Sequence, residues 1–403
     1  MNKPSKIAVC IILILSITCS VFFFGCNDKE GSSANIAETT DGPTTVHNTI
    51  SSATQDTPTQ PFTWNYSRLK QNSDSLKSEF DNIITKRKFR GTAYVKIGND
   101  FEYIGTNGFS NKDKHTHNSL DTCYRVASIT KQFTAVAIMQ LKEQGKILLD
   151  DTIDKYYPSY KYADKITVKN LLTMTAGLKD YINKDGNVES SSYALSQSEL
   201  AYNVSADSSA QENKKNIMNW IFSQELNFEP DSKFMYSNSS YYLLGDIIEK
   251  VSGISYEEYI VKNLLEPAGM TSSGFDEVEN LAVGYQDVYD NEWTLYPGVC
   301  YSAAGLISNV PDLLKWLDAL CTNTIISEES FTEMTTPYKS KYGYGLFISG
   351  DTFFHSGKID KYNAEVLFSE NQGQVFIALS NYSQSDPTNI QNYLIKILSP
   401  YYG

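Results

Sequence analysis

Ser128 and Lys131 are the two residues whose types and spacing most directly suggest chemistry. They stand three positions apart at the start of a long apolar pattern that predicts a helix from Ile129 to Gln144. A serine at the beginning of that helix would lie in the positive end of its dipole, which favours a developing alkoxide. A residue three places on lies on the same face one turn later. The spacing therefore predicts a nucleophilic serine with a lysine beside its hydroxyl.

The surroundings of Lys131 decide whether it can act as a base. Apolar residues such as Phe133 and Ala135 follow it and predict that this helix is buried. Burial disfavours the ammonium form and leaves a neutral amine that can take a proton. The alternative is a surface lysine near an ordinary helix start. The same spacing recurs at Ser67 and Lys70, but without a helical pattern.

Tyr236 and Asn238 form a second candidate pair. Residues two apart in an extended segment can face the same way, so a phenol and an amide could point together into a cleft. A tyrosine beside a cationic lysine loses its proton more easily, which would let Tyr236 relay protons. Asn238 could hold a substrate carbonyl or fix Lys131. The same Tyr-x-Asn pattern begins at Tyr181 and at Tyr289. Tyr236 is preferred because an apolar helical pattern follows it.

The third candidate element is His355-Ser356-Gly357, which is predicted to end an aromatic strand. Gly357 has no side chain, so the backbone of a substrate could approach this edge and add to the sheet. An ordinary turn after a strand is the alternative. The four histidines of the chain lack the spacing of metal ligands, and no metal site is predicted.

The elements that would carry these residues follow from periodicity. Helices are predicted at Ser73–Lys88, Val168–Met174, Ile217–Phe222, Tyr241–Ser252, Tyr256–Asn263 and Asp386–Leu398. Strands are predicted at Gly91–Ile97, Phe101–Thr106, Gly345–Ile348, Thr352–His355, Tyr362–Phe368 and Gln374–Leu379. Strands at both ends of a helical centre predict an α+β fold. Its sheet would be flanked by terminal helices, with an inserted all-α region at about residues 150–310.

The N-terminus has the pattern of an export signal. Lys3 and Lys6 precede an apolar run from Ile7 to Phe24, which is followed by Gly25-Cys26. The end of this run resembles a bacterial lipobox. Residues 1–26 are therefore predicted to be a lipoprotein-type signal peptide with Cys26 as the lipidated residue; an uncleaved membrane anchor is the alternative. Residues 27–64 are rich in Ser and Thr and are predicted to be a disordered tether, so that residues 65–403 form the folded domain.

Composition excludes several classes of function. The net charge is −13 and no basic run follows the first residues, so nucleic acid is not an expected partner. The six cysteines contain no CxxC motif, which predicts neither a disulfide framework nor a zinc knuckle; a single disulfide bridge is the alternative.

Taken together and in this order, the three motifs resemble those of the serine β-lactamase and penicillin-binding-protein family, in particular its class C β-lactamase and D-Ala-D-Ala carboxypeptidase branch. The likeness extends through Tyr124–Asp150, Ile166–Leu178, Phe228–Met270 and Ala303–Leu317. It implies a β-lactamase/transpeptidase-like fold with an antiparallel sheet. The likeness covers nearly the whole chain from Ser73 to the end.

The resemblance also implies roles. Ser128 would be the acylated nucleophile, Lys131 its partner and Tyr236 the acid/base residue, while Asn238 would bind the substrate amide. His355-Ser356-Gly357 stands where many relatives carry Lys-Thr-Gly, and the backbone N–H groups of Ser128 and Lys358 would form the oxyanion hole. Met174-Thr175-Ala176-Gly177 departs from the usual His-Thr-Ser-Gly.

The expected activity is that of a serine hydrolase on the outer face of the cell membrane, or secreted. It would act on D-amino-acid peptides, β-lactams or esters, with peptidoglycan a candidate partner. The protein is expected to be a monomer and to need no cofactor. The alternative from another class is a non-hydrolytic surface protein that binds or senses wall fragments or β-lactams.

Overall fold

One six-stranded antiparallel sheet organises the protein. A computed structural model describes residues 64–182, 204–275, 277–286, 298–369 and 373–402. The order of the strands in the sheet is β2-β1-β10-β9-β8-β7. Their bounds are β1 Gly91–Ile97, β2 Phe101–Asn107, β7 Phe347–Ser349, β8 Thr352–Ile359, β9 Tyr362–Ser369 and β10 Gln374–Ser380. Strands from the two ends of the domain are therefore neighbours, because β1 pairs with β10.

Shorter strands lie outside this sheet. β3 (Phe109–Asn111) pairs with β4 (Thr116–His117), and β5 (Tyr124–Arg125) pairs with β6 (Ile307–Ser308). The second pair matters most for function. It joins the segment before Ser128 to a segment of the chain about 180 residues later.

The terminal helices cover one face of the sheet. They are α1 (Tyr66–Gln71), α2 (Ser73–Lys86) and α11 (Pro387–Leu398). Phe80 and Leu394 belong to one apolar cluster with sheet residues such as Ala93 and Val95. Buried residues recur every four positions along α2 and α11 and form the apolar stripe that this packing requires: Leu76, Phe80 and Ile84 in α2, and Ile390, Leu394 and Leu398 in α11.

The other helices contribute to the main core. They are α3 Thr130–Glu143, α4 Val168–Leu172, α5 Ala210–Ser223, α6 Asn238–Ser252, α7 Tyr256–Ile260, α8 Tyr301–Ala304, α9 Val310–Cys321 and α10 Glu328–Met334. α3 is buried on every side from Thr130 to Met139. A helix with this pattern lies inside a protein rather than on its surface.

The predicted fold class is confirmed, and most predicted elements lie within a few residues of their observed bounds. Two boundaries differ in an informative way. β8 does not end at His355 but continues to Ile359, because residues 353–359 pair with β9 through a tight turn at Asp360-Lys361. The α-helical part of α7 ends at Ile260, and a π-helical stretch, Val261–Leu265, follows it directly.

The signal peptide with Cys26 and the tether, apart from Trp64, lie outside the described residues. Within the described ranges, no helix is both long and apolar enough to cross a membrane.

Candidate active site

Ser128 lies in a single 3₁₀ turn, Ala127–Ile129, between β5 and α3. The preceding residue, Ala127, has φ +49°, a left-handed conformation that side chains other than glycine adopt rarely. Two contacts hold the turn: Val126 N–H donates to the carbonyl of Leu306 at 3.1 Å, and Thr130 Oγ1 donates to the carbonyl of Ala127 at 2.6 Å. The nucleophile candidate is thus presented by a strained turn with fixed ends, as is common at functional sites.

Lys131 is fully buried and its amine contacts Ser128 directly. The distance from Nζ to Ser128 Oγ is 3.0 Å. Burial lowers the pKa of Lys131 to about 7, although the charge of the nearby Asp180 acts in the opposite direction. Near neutral pH a large fraction of this amine is therefore uncharged, which is the form that a general base requires.

Two other contacts direct the lone pair of the neutral amine. Nζ lies 2.8 Å from Asn238 Oδ1 and 2.8 Å from the backbone oxygen of Ala303. Both oxygens can only accept, so they take the two N–H groups of a neutral amine. The lone pair that remains faces Ser128 Oγ. This arrangement can remove the hydroxyl proton as the serine attacks a carbonyl.

Tyr236 is the second group bound to the serine. Its hydroxyl donates to Ser128 Oγ at 2.9 Å. The expectation that a cationic lysine would ease its deprotonation is wrong, because burial raises the pKa of Tyr236 well above its usual value. Lys131, whose own pKa is about 7, is uncharged at any pH at which this phenol could lose its proton, so it supplies little compensation. Tyr236 therefore keeps its proton and serves as a donor.

The loop that carries Tyr236 is held in place by the segment Met174–Gly177. Met235 N–H donates to the carbonyl of Met174 at 3.0 Å, and Asp231 N–H donates to that of Thr175 at 2.8 Å. The segment that departs from the family's usual sequence is therefore a structural support for the loop.

Asn238 is the first residue of α6, and its side-chain oxygen faces Lys131. Of the two roles left open by the sequence, fixing Lys131 is the one that the contacts show. Its Nδ2 donates to both carboxylate oxygens of Asp180, at 3.2 and 3.0 Å. Sequence reasoning missed Asp180, which lies 58 positions before Asn238. No periodic or motif signal marks it.

β8 lies directly against the nucleophile turn. An ideal Cβ on Gly357 would lie 2.3 Å from the carbonyl oxygen of Val126 and 3.2 Å from Ser128 N. No other residue type fits this approach. The absence of a side chain brings the strand edge close to Ser128, as an oxyanion hole made from both backbones requires.

The register of β8 fixes the direction of the Lys358 N–H group. Ile359 and Tyr362 close the two-residue turn and form a hydrogen-bonded pair, so the next pair, Lys358 and Asn363, is a non-hydrogen-bonded one. The Lys358 N–H group therefore points away from β9. β7 pairs only with residues 352–354 and does not cover this edge. The side chains of Ser356 and Lys358 are exposed.

His355 is buried among aromatic rings. Its ring centroid lies 6.1 Å from that of Tyr236, 6.1 Å from Tyr342 and 5.5 Å from Phe347. Nδ1 donates to the carbonyl of Ser356 at 2.6 Å, which fixes the tautomer. Burial, together with the charge of Lys131, lowers the pKa of His355 to about 3. Near pH 7 this position contributes an aromatic, uncharged wall.

Comparison with known proteins agrees with this geometry. The β-lactamase family model matches residues 76–398, which is most of the chain. The chain belongs to the β-lactamase family. It is a serine hydrolase of the group that includes the penicillin-binding proteins.

Individual relatives come from bacteria and an archaeon. The chain is 27% identical to the protein PbpX of Bacillus subtilis (strain 168) over 327 residues, which covers 77% of each protein. The crystal structure of a penicillin-binding protein from Bacillus halodurans has a TM-score of 0.68 and 25% identity, covering 79% of this chain and 99% of that one. An octameric penicillin-binding protein homologue from Pyrococcus abyssi has a TM-score of 0.62 and 29% identity, covering 81% and 77%.

Proposed function

We propose that this protein is an extracytoplasmic amide hydrolase that forms an acyl-enzyme on Ser128 and acts on D-amino-acid peptides. Esters and β-lactams would be alternative acyl donors. The observation that carries the proposal is the arrangement around Lys131. The buried amine donates its two N–H groups to two carbonyl oxygens and directs its lone pair at the hydroxyl of Ser128. Tyr236 also donates a hydrogen bond to this hydroxyl.

Acylation would begin with attack of Ser128 Oγ on the substrate carbonyl carbon. Lys131 takes the hydroxyl proton as the new C–O bond forms. The carbonyl oxygen becomes an oxyanion, stabilised by the N–H groups of Ser128 and Lys358. When the C–N bond breaks, the leaving amine receives a proton from Tyr236, which recovers one from Lys131. Water then attacks the ester carbonyl and gives one proton to Lys131; the C–O bond to Ser128 Oγ breaks, the carboxylic acid leaves, and Oγ takes that proton back.

The uncharged His355 supports a substrate preference within this class. β-Lactams and peptides with a free C-terminus carry a carboxylate near the scissile bond. A lysine in the third motif could form an ion pair with it, whereas a neutral histidine cannot. This disfavours a dedicated β-lactamase activity, and among D-amino-acid peptides it favours those without a free carboxylate next to the scissile bond.

The export signal, the lipid anchor at Cys26 and the tether would place this domain at the outer face of the membrane. Peptidoglycan stem peptides are the D-amino-acid peptides found there. The protein is proposed to act as a monomer. Because one relative is octameric, the oligomeric state should be measured together with activity.

Covalent labelling tests the mechanism. Purified protein is incubated with a fluorescent penicillin, a p-nitrophenyl ester and a D-Ala-D-Ala peptide in separate reactions, and adducts are read by intact mass. We expect an adduct on the wild type with at least one donor and none on Ser128→Ala. An adduct that survives this substitution would refute the role of Ser128.

Turnover separates the candidate activities. Release of D-alanine without ester turnover would support a peptidase, and the converse would support an esterase. A stable adduct that never turns over would support the sensor that the sequence left as an alternative. If no donor acylates the wild type, the proposed function is wrong.

A further inference from the structure

A buried carboxylate, Asp180, lies behind the residues that contact the nucleophile. The residue is 7% exposed. Oδ1 accepts from the N–H of Ile182 at 2.8 Å, and Oδ2 accepts from the N–H of Asn238 at 3.2 Å. The Asn238 amide nitrogen donates to both oxygens. The carboxylate is therefore well supplied with donors, as a buried charge must be.

These contacts decide which way the Asn238 amide faces. A carboxylate can only accept, so it requires the NH₂ end of the amide. The oxygen end must then face Lys131, as it does at 2.8 Å. If the amide turned over, its NH₂ group would face Nζ and donate to the amine lone pair. The base would then no longer be free to take the proton of Ser128.

We propose that Asp180 is a positioning residue for acyl transfer, which fixes the orientation of Asn238 and thereby that of the Lys131 lone pair. This inference rests on the proposed function of Ser128 and Lys131. Asp180 need not touch the substrate for this role. It acts through one intervening side chain.

The charge of Asp180 gives this role a measurable signature. The titratable groups that face Lys131 are Asp180, Cys300, Tyr236, Tyr241 and His355. Near pH 7 the last four are neutral, because burial raises the pKa of Cys300 to about 12, raises those of both tyrosines and lowers that of His355 to about 3. The attraction of Asp180 raises the pKa of Lys131 against the effect of burial.

Two variants separate orientation from mere folding. In Asp180→Asn the anion is lost, and residue 180 presents both a donor and an acceptor to Asn238. In Asp180→Asn with Asn238→Asp the carboxylate moves next to Lys131, while the amide introduced at position 180 can donate to it. The pH dependence of acylation is measured for both with the donor that acylates the wild type best. The pKa of Lys131 is measured independently by ¹⁵N NMR of Nζ, assigned from its absence in Lys131→Met.

We expect opposite shifts. In the profile of acylation rate against pH, the rise on the acid side (the acid limb) should move to lower pH by about half a pH unit or more for Asp180→Asn. The maximal rate reached above this rise (the plateau) should fall at least about tenfold. For the exchanged pair the limb should move up, because an anion in direct contact favours the ammonium form. The NMR titration should shift in the same directions.

Two results would overturn the inference. One is a loss of acylation rate in either variant while the acid limb of the rate profile and the pKa of Lys131 measured by NMR stay at their wild-type values. That result would indicate a structural role only. The other is wild-type behaviour of Asp180→Asn. Should the single variant fail to fold, the plateau rate of the exchanged pair decides: a carboxylate at position 238 that is held by the amide at position 180 still accepts from Nζ and leaves the lone pair directed at Ser128, so the plateau should stay within about tenfold of the wild type. A larger loss of the plateau rate would overturn the inference. Failure of the wild type to acylate refutes the proposed function instead, and the NMR titration still tests the link between Asp180 and Lys131.

Discussion

The side-chain amine of Lys131 contacts the backbone oxygen of Ala303 at 2.8 Å, across 172 positions of sequence. Ala303 belongs to α8, a helix of one turn that begins at Tyr301, whose φ is +38°. The turn is fixed because Ser302 Oγ donates to the carbonyl of Tyr241 in α6 at 2.9 Å. One acceptor for the amine therefore comes from a strained, anchored segment of the helical region.

Acylation should depend on pH through Lys131. Because the neutral amine is the base, the acylation rate constant should rise with pH, reach half its maximum near pH 7 and level off above it. Below pH 7 the rate should fall about tenfold per pH unit. Stopped-flow measurement with a chromogenic ester or β-lactam would give this profile.

Lys131→Arg tests the same assignment. A guanidinium keeps its proton throughout this range, so the rate should fall by about 10²–10⁴-fold and lose the limb near pH 7. Lys142→Arg, on the same helix but paired with Glu333, is the matched control and should keep the wild-type profile. A limb near pH 7 that persists in Lys131→Arg would show that another group is the base.

Tyr236→Phe should separate proton transfer from packing. The substitution removes the hydroxyl that donates to Ser128 but keeps the ring contacts with Tyr342 and His355. The acylation rate should fall by about 10²–10⁴-fold, while the melting temperature changes little. Tyr342→Phe removes a neighbouring hydroxyl that is not bonded to Ser128 and should retain most activity. Equal losses in the two variants would contradict the assignment.

Gly357→Ala tests the close approach of β8 to the nucleophile turn. The added methyl would lie 2.3 Å from the carbonyl of Val126, so the strand must move away and carry the Lys358 N–H with it. Loss of one oxyanion donor costs about 10²–10³-fold in kcat, and we expect a loss of this size. Gly274→Ala is the control, since its Cβ would meet only a side-chain methyl of Val278 at 3.3 Å. Comparable kcat values for the two variants would argue against the predicted oxyanion hole.

Local sequence predicted the parts of the site that local geometry determines. Ser128 and Lys131 lie one helical turn apart, and the apolar residues after them indicated burial. Strand alternation and turn residues predicted the sheet for the same reason. Such relationships depend on backbone periods, which any sequence displays.

Relationships across long separations were not predictable in the same way. Asp180 and Ala303 reach Asn238 and Lys131 only through tertiary packing. Asp180 belongs to no recognised pattern, and although Ala303 begins one of the family-like stretches, nothing in the sequence marks its backbone oxygen as an acceptor for Lys131. The protonation of Tyr236 was predicted wrongly because the expectation used a neighbouring charge and ignored burial. Burial depends on the whole fold, and it dominates the pKa of both groups.

Glu365 offers a test of burial away from the site, and it concerns stability rather than activity. This residue of β9 is buried, and Thr388 Oγ1 donates to its Oε2 at 2.6 Å. Burial raises its pKa to about 7, with Asp386 adding to the shift and Thr388 opposing it. Below the unfolded pKa both states hold the proton, so this contribution to stability is fully present. As the pH rises toward 7 the unfolded chain releases the proton first, and stability falls.

Glu365→Gln should remove this pH dependence, because the amide has a similar shape and keeps an acceptor for Thr388. At pH 4 the variant and the wild type should have similar free energies of unfolding. At pH 8 the variant should be more stable by up to about 3 kcal/mol. Urea unfolding at several pH values measures this difference, and Glu266→Gln on the exposed surface should show none. A constant difference between Glu365→Gln and wild type from pH 4 to 8 would mean that the pKa of Glu365 is the same in the folded and unfolded states, which would contradict the effect of burial.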